Sequence, residues 1–493
     1  MNTGSMVLES EKIEAFKEGM PNRGGDEKHE DKRVVMKFGG SSLADAERIE
    51  HVAQLIKSQI AIGNRPAAVI CSAMGKTTNN LLNAGDFALE GRVNVDALRT
   101  LHHTTIKEFD LGQHVADDIT ELLNELENML NGVKLLQELS PRSLDMLVSF
   151  GERMSIRIMA ARLNQIGVPA EAYDSWTIGM ITTSEFGDAR VLPSSMEKIK
   201  NTFSNKIDPN TVAIVTGFIG HTESGKITTL GRGGSDLTAT TIGAACSLDE
   251  IQVWKDVDGI MSCDPRMVRS AVPISRVSFE EAAELAYFGA KVLHPIAMMP
   301  AMEAQIPVRV KNSYNPSHPG TVINKDRDNE NLVTAITCKR DIQLIDITST
   351  RMLGAYGFLS KVFNTFEKHK LSVDVLASSE VSVSLTLDKK SSVYKGHPLC
   401  DDLGDIANID VKEGKAIITL ITDIKRSSEV LATVFKVFME KGIEVEMLSQ
   451  GASKVNISFI VSDSLVESAI HSLHMCFFEE QCEITMPTND KEV

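Results

Sequence analysis

The stretch Thr229-Leu230-Gly231-Arg232-Gly233-Gly234-Ser235-Asp236 constrains the fold of this chain more than any other. It follows an apolar strand pattern at Val212 to Thr216 and runs into an alanine-rich helical segment ending near Ala245. Glycines 231, 233 and 234 let the backbone reach φ > 0 and approach a ligand closely. Ser235 or Asp236 can cap the following helix, which then aims its N-terminal N–H groups and positive dipole end at an anion. A tight strand-to-helix turn would need no more than the glycines. Arg232 adds a guanidinium suited to bidentate capture of a carboxylate or phosphate.

The same order of strand, glycine turn and helix opens the chain, which predicts an α/β sheet. Arg33 to Phe38 is a short apolar run ending in Gly39-Gly40-Ser41-Ser42, and Leu43, Ala46, Ile49, Ala53 and Ile56 follow with helical spacing. Lys37 stands one residue from that turn, either as a phosphate contact or as a solvated strand end. Ala67 to Cys71 is a second buried-type strand, leading into a Ser/Thr-rich loop that contains Thr78. Gly75-Lys76-Thr77 imitates a P-loop, but Ile70 stands where that motif requires glycine, so the P-loop is rejected. The loop remains a plausible ligand-binding edge at a strand's carboxyl end.

Residues 96–164 read as mostly helical, with breaks near Asn131-Gly132 and at Pro141. Gly151 lies inside the last helical pattern at a cost of about 1 kcal/mol against alanine, which implies a close neighbour. Glu152 beside it can accept from an ammonium group or join an ordinary ion pair. Ile251 to Trp254 is another strand, leading into Lys255-Asp256-Val257-Asp258-Gly259, then Met261, Asp264 and Arg266. The carboxylates flanking Gly259 suit either Asx turns or a nucleotide edge. Glu280 to Ala290 is an amphipathic helix, and Lys291 and His294 follow where one helix stops and another can start. After a strand at Val308 to Lys311, residues 325–331 read as a charged linker.

The final third is a repeat. Phe358-Leu359-Ser360-Lys361-Val362-Phe363 lines up with Val430-Leu431-Ala432-Thr433-Val434-Phe435 at an offset of 72 residues, which persists to Leu376 and Leu448. Each copy continues into an alternating strand, Val381 to Leu387 and Val455 to Val461. The shared pattern is that of a small ligand-sensing α/β sandwich with no cluster of catalytic residues, so regulation or assembly is its expected role.

At 493 residues the chain is long enough for two or more domains. A net charge of -16 argues against an electrostatic nucleic-acid or membrane surface, so an anionic substrate must be gathered by locally placed Lys and Arg. Seven scattered cysteines with no CxxC read as reduced thiols in a cytosol-like compartment. No run approaches the roughly 18 apolar residues of a membrane span, and the histidines show no metal-ligand spacing. The acid-rich residues 1–32 read as a solvated tail, and such acidity argues against an import signal.

The set Lys37-Phe38-Gly39-Gly40-Ser41-Ser42, Ser149-Phe150-Gly151-Glu152, Thr229 to Asp236, Asp256-Val257-Asp258-Gly259 with Asp264-Pro265-Arg266, and Phe288-Gly289-Ala290-Lys291-Val292-Leu293-His294-Pro295 resembles the aspartate kinases. Five ordered motifs carry the resemblance, from about residue 33 to the C-terminus, and the monofunctional, lysine-sensitive type is the most similar. It implies an amino-acid-kinase-like, mainly parallel sheet sandwiched by helices over 33–324, followed by two ferredoxin-like ACT domains. Residues 325–340 are then a linker plus the first strand of the second ACT unit, 341–412 the first unit, 413–487 the second and 488–493 a tail.

The resemblance implies ATP-dependent phosphorylation of the aspartate side-chain carboxylate, the entry to lysine, threonine and methionine synthesis. Lys37, Asp236 and Lys291 would be catalytic, with Asp236 positioning the lysines. Lys37, Gly39, Gly40, Ser41, Gly233, Gly234, Lys255, Asp256, Met261, Arg266 and Lys291 would meet ATP, with Mg2+ brought by the nucleotide. Many bacterial members carry Thr and Tyr where this chain has Lys255 and Met261. Thr78, Glu152, Arg232 and Ser235 would hold aspartate. Met352, Gly357, Phe358, Leu359, Val373, Asp374, Ser378, Ser379 and Glu380 match the lysine pocket of the lysine-sensitive members. The segment between Leu387 and Val411 is shorter than theirs, which predicts a stunted helix in the first ACT unit. Family members pair through ACT domains, so a homodimer or larger assembly is expected, cytoplasmic, or in the plastid stroma of a photosynthetic eukaryote. The rivals are a kinase acting on another carboxylate or carbamate, and a non-catalytic sensor of nucleotide and amino acid. Arg232 with Glu152 favours aspartate over the first, and the presence of Lys37, Asp236 and Lys291 speaks against the second.

Overall fold

The computed structural model describes residues 32–290, 293–327, 331–349, 356–388, 393–394, 396–451 and 453–479. β1 (Lys32–Phe38) passes through a short turn at Gly40–Leu43 into α1 (Ala46–Ala61), capped by the Asp45 carboxylate on the Arg48 N–H. β2 (Asn64–Cys71) leads to four helices: α2 (Thr77–Leu89), α3 (Asp96–Glu108), α4 (Gln113–Leu136) and α5 (Pro141–Gln165). Next come β3 (Ala170–Tyr173), β4 (Ile181–Thr182), α6 (Ser194–Asn205), β5 (Val212–Thr216), β6 (Ile219–Thr222) and β7 (Ile227–Thr229). α7 (Gly234–Ala245), β8 (Glu250–Lys255), β9 (Arg276–Ser278), α8 (Phe279–Tyr287), α9 (Pro295–Glu303), β10 (Val308–Asn312) and β11 (Thr321–Asn324) complete this part.

Eight of these strands form one sheet in the order β3-β5-β2-β1-β8-β10-β11-β9, parallel throughout except where β10 meets β11. Helices cover both faces, so the inner strands read as continuous apolar runs; every residue of β5 is buried. Along β1 the strand period of two sends Val34, Met36 and Phe38 to the face packed by α1, α4 and α5, and Val35 to the face packed by α7, α8 and α9. Lys37 shares the face of Val35, which directs its side chain towards α7.

Four details differ from the sequence expectation. α4 runs unbroken through Asn131-Gly132, because buried Leu122, Leu123, Leu126, Leu130 and Val133 outweigh the cost of one glycine. α7 is capped by Gly233 at φ 74 with no side-chain cap, so Ser235 and Asp236 lie inside its first turn. α8 stops at Tyr287, and Gly289 turns the chain at φ 102. The pair β4 and β6 with β7 forms a small separate sheet, built from strands too short to show a period.

The C-terminal part contains β12 (Val333–Thr348), α10 (Phe358–Lys368), β13 (Leu376–Ser378), β14 (Ser382–Leu387), α11 (Pro398–Gly404), β15 (Asn408–Thr422), α12 (Ser427–Lys441), β16 (Met447–Gln450), β17 (Asn456–Ser462) and α13 (Val466–Phe478). Its strands make one antiparallel sheet, ordered β13-β14-β12-β15-β17-β16. The two long strands serve both repeats. Residues 333–339 of β12 pair with the end of β15, which also carries β17, whereas 342–348 pair with the start of β15 and with β14. The register shifts between Lys339 and Ile342, where Asp341 sits at φ 60, mark the crossover. α11 has only seven residues against thirteen in α13.

The two parts are joined through α8. Buried Glu281 closes the capping box with Ser278 and also takes the Arg327 guanidinium at 3.0 Å and the Thr334 hydroxyl at 2.9 Å. Phe288 packs among Ile342, Leu344, Val375, Ile417, Met447 and Ile460, drawn from both repeats.

Candidate active site

Because β1, β2, β5, β8 and β10 run parallel, their carboxyl ends open at one edge, the usual ligand edge of such a sheet. Lys37 leaves β1 there, and its Nζ pairs with Asp236 Oδ1 at 2.7 Å, both side chains nearly buried. A Cβ on Gly39 would stand 3.8 Å from that Nζ, and one on Gly40 only 2.8 Å from the Ala73 carbonyl oxygen, so this turn leaves no room for side chains at Gly40. Ser41 is exposed at the turn's outer side.

The glycine turn of residues 231–234 faces the same edge. Gly231 and Gly233 both hold positive φ, and a Cβ on Gly233 would lie 2.7 Å from His294 Cβ. The turn thereby touches the segment that follows Lys291. Lys291 itself lies outside the described residues, as does Met352. Arg232 is exposed and makes no ion pair among the described residues. Ser235 Oγ accepts from Ser72 Oγ at 3.0 Å, linking the start of α7 to the end of β2.

Glu152 is fully enclosed on α5. Its Oε1 accepts the Ala73 N–H at 3.2 Å, while Oε2 is buried with no hydrogen-bond partner among the described residues. Burial pushes this carboxyl up to about 8, against the opposing Ala73 hydrogen bond. The neighbouring Gly151 explains the approach, since a Cβ there would fall 2.8 Å from Ala73 Cβ and 3.2 Å from Thr77 Cγ2. Thr78 occupies the second position of α2, half-buried beside that loop.

Two contributors were missed in the sequence. Thr77 Oγ1 is buried and unpartnered at the same loop. Asp145 accepts from Gly187 N, Thr229 N and Thr229 Oγ1 at 2.8 to 3.0 Å, which ties the start of the glycine turn to α5. Its only signal was one carboxylate within the apolar pattern Leu144 to Val148.

The segment after β8 leaves the same edge of the sheet. Lys255 offers its carbonyl to the N–H and hydroxyl of Ser313, and Asp258 accepts from Asn312 and Asn315, so these two groups shape the loop. Asp256 and Arg266 are exposed, and the Arg266 guanidinium folds back onto Asp264. Met261 is half-buried and faces a cavity of about 340 Å³ that is shared with Arg266, Gly289, Ala290, Cys338 and Ile470.

The residues expected in the regulatory pocket are spread over the start of α10 and the β13 edge. Gly357 caps α10 at φ 78, Phe358 is buried, and Leu359 is exposed. Val373 is half-buried, whereas Ser378, Ser379 and Glu380 are exposed around the turn closed by Ser379 and Ser382. Asp374 is already engaged: it accepts from Tyr287 Oη at 2.9 Å and pairs with Lys339, leaving its side chain 7% exposed.

A parallel sheet with a lysine and glycine turns at its carboxyl edge, followed by a paired antiparallel regulatory unit, defines a phosphotransferase of the amino acid kinase class with ACT regulation. Sequence comparison agrees: the amino acid kinase family matches residues 32–312, and an ACT domain matches 419–477. Aspartokinase 1, chloroplastic, of Arabidopsis thaliana is 48% identical over 489 residues, covering 96% of this chain and 84% of the relative. The lysine-sensitive aspartokinase 3 of Escherichia coli is 33% identical over 454 residues, covering 90% and 99%. The crystal structure of E. coli aspartokinase III with aspartate and ADP, an R-state, superposes with a TM-score of 0.74 at 32% identity, covering 91% of this chain and all of the other. Its T-state complex with lysine and aspartate gives the same TM-score at 33% identity, over 90% and 99%. The chain belongs to the aspartokinase family: it is an aspartate kinase, phosphorylating the side-chain carboxylate of L-aspartate at the expense of ATP under ACT-domain regulation.

Proposed function

We propose that the Lys37–Asp236 pair at the sheet edge is the phosphoryl-transfer centre, and this pair is the observation that carries the assignment of roles. The acceptor carboxylate is already ionised at pH 7, so the reaction needs no general base. What opposes it is repulsion between that anion and the triphosphate. Lys37, joined by Lys291, supplies positive charge at the transferring group, and the N–H groups near Gly39, Gly40, Gly233 and Gly234 add dipoles. Asp236 fixes the Lys37 ammonium and removes no proton.

Arg232 takes the α-carboxylate of aspartate and Glu152 its ammonium, so both ends of the amino acid are read. The unpartnered Oε2 of Glu152 supports this role, since a buried carboxylate oxygen calls for a cation. Thr78 and Ser235 add hydrogen bonds. The segment Lys255 to Arg266, which aligns with the family's ATP-binding segment, takes the nucleotide, and the E. coli relative's complex with aspartate and ADP supports nucleotide use as such. Magnesium is assigned to the nucleotide's phosphates, whose charge it neutralises.

Lysine is the proposed effector, supported by the lysine-sensitive relative and its lysine complex. A second copy of the chain is the proposed partner, through the outer edge of β13, beside exposed Leu376 and Val381. The chloroplastic relatives support a plastid compartment, and no helix among the described residues is long and apolar enough to cross a membrane. The test is ATP-dependent aspartyl-hydroxamate formation, with and without lysine and, separately, threonine. Suppression by lysine supports effector and pocket together; activity indifferent to lysine overturns the pocket while leaving the kinase.

A further inference from the structure

The last helix of the regulatory tandem reaches the nucleotide segment through one buried histidine. His474, on α13, is fully buried and stacks on Phe478 at 4.7 Å. Its Nε2 lies 2.9 Å from Ser262 Oγ, and its Nδ1 lies 2.7 Å from Glu479 Oε1. Ser262 stands between Met261 and Cys263, inside the segment assigned to the nucleotide.

The partners fix the direction of every hydrogen in this relay. A carboxylate only accepts, so His474 Nδ1 carries the ring proton in the neutral form and Nε2 is left as acceptor. Ser262 then donates its hydroxyl proton to Nε2, and its oxygen accepts the Val272 N–H at 3.0 Å. The backbone of Ser262 is held as well, its N–H donating to Val272 O at 2.8 Å and its carbonyl accepting from Ile336 N at 2.7 Å. Glu479 also accepts from Ser270 Oγ, so one helix end grips the loop at two points.

Apolar packing alone would dock this loop, since Cys263 and Val268 already join the core of the second repeat with Ile470 and Leu473. Such packing is tolerant of sliding, whereas a satisfied buried polar relay admits one register. The register matters because Met261 and Arg266 share a cavity with Gly289 and Ala290, the residues leading to Lys291, and with Ile470 of the same helix.

We propose that His474 is a positioning residue for the nucleotide segment, holding Met261 and Arg266 in place through Ser262, so that the regulatory tandem sets affinity for ATP and not for aspartate. The proposal rests on reading Lys255 to Arg266 as the nucleotide segment. The experiment measures MgADP affinity by calorimetry, with KM for ATP and for aspartate, on the full chain carrying His474→Phe, Ser262→Ala, both together, or Arg266→Ala. Losing one buried hydrogen bond predicts that His474→Phe and Ser262→Ala each weaken MgADP binding and raise KM for ATP by about fivefold or more. KM for aspartate and kcat stay unchanged in His474→Phe, and the double variant is no worse than either single one, because both remove the same contact. Parallel rises in both KM values, or unchanged MgADP affinity, overturn the proposal. If His474→Phe does not fold, Ser262→Ala decides the matter by the same readings. Should Arg266→Ala weaken MgADP while the other two do not, the nucleotide reading stands and the proposal alone falls; if none of them does, both fall.

Discussion

Glu152 shows how a side chain left with two readings by the sequence, ammonium acceptor or ordinary ion pair, acquires its surroundings only in place. Its neighbours Phe150 and Gly151 mark a buried helix, yet only the fold encloses its carboxyl and leaves Oε2 without a partner. Raised from 4.5 to about 8, the group is protonated in both folded and unfolded chains at low pH. Between those values only the unfolded chain ionises, so the unliganded protein loses stability at up to about 1.4 kcal/mol per pH unit as pH rises. Glu152→Gln is expected to flatten that slope, which thermal unfolding from pH 5 to 8 would reveal. An arriving ammonium favours the ionised form. Aspartate binding at pH 7 should therefore release a proton, visible as a buffer-dependent calorimetric heat in the native protein and lost in Glu152→Gln; a heat independent of buffer would count against the role. Asp236→Asn keeps shape but removes the counter-charge of Lys37. Its expected effect is a fall in kcat of about a hundredfold with KM for aspartate nearly unchanged; an unaffected kcat would remove Asp236 from the centre.

At the scale of elements, α8 and the turn after it join the C-terminal part to the kinase part. The helix begins in a capping box of Ser278 and Glu281 that the sequence reading did not pick out, and its end depends on partners far along the chain. Tyr287 donates to Asp374 at 2.9 Å, Phe288 is buried between the repeats, and the Phe288 carbonyl accepts from Thr337 Oγ1 at 2.9 Å. Four residues after Tyr287 stands Lys291. Tyr287→Phe keeps the packing and deletes a hydrogen bond worth about 1 kcal/mol. We expect the half-inhibitory concentration of lysine to change by about fivefold while uninhibited kcat holds, as steady-state titration would show; an unchanged inhibition curve would place the coupling elsewhere. α4 teaches the converse lesson, that a buried apolar stripe carries a helix through Asn131-Gly132 although local propensity predicts a break.

The whole molecule is arranged so that both repeats grip the kinase part. Each long strand, β12 and β15, belongs to both, so the two repeats share backbone on either side of the register shift at Lys339 to Ile342. The outer strand β13 carries exposed Leu376, and exposed Val381 stands in the turn between β13 and β14. If a second copy pairs there, Leu376→Lys, a charge placed on the edge strand, should shift the protein towards monomer in sedimentation at micromolar concentration. An unchanged assembly size would move the interface to another face.

Local signals determined much of this protein. Glycine turns next to strands, period-two and helical apolar patterns, and the 72-residue repeat together implied an α/β sheet, a phosphate-handling edge and the paired sandwiches, while the mainly parallel order was implied by the resemblance to the aspartate kinases. They suffice because backbone conformation and burial pattern are short-range properties, written within a few residues. The resemblance had already implied that Asp236 meets Lys37, but tertiary structure alone decided the other meetings across long separations: Glu152 with Ala73, Asp374 with Tyr287 and Lys339, and Ser262 with His474. In those pairs charge, burial and hydrogen-bond direction depend on distance in space, and that distance exists only once the sheet and its helices have closed.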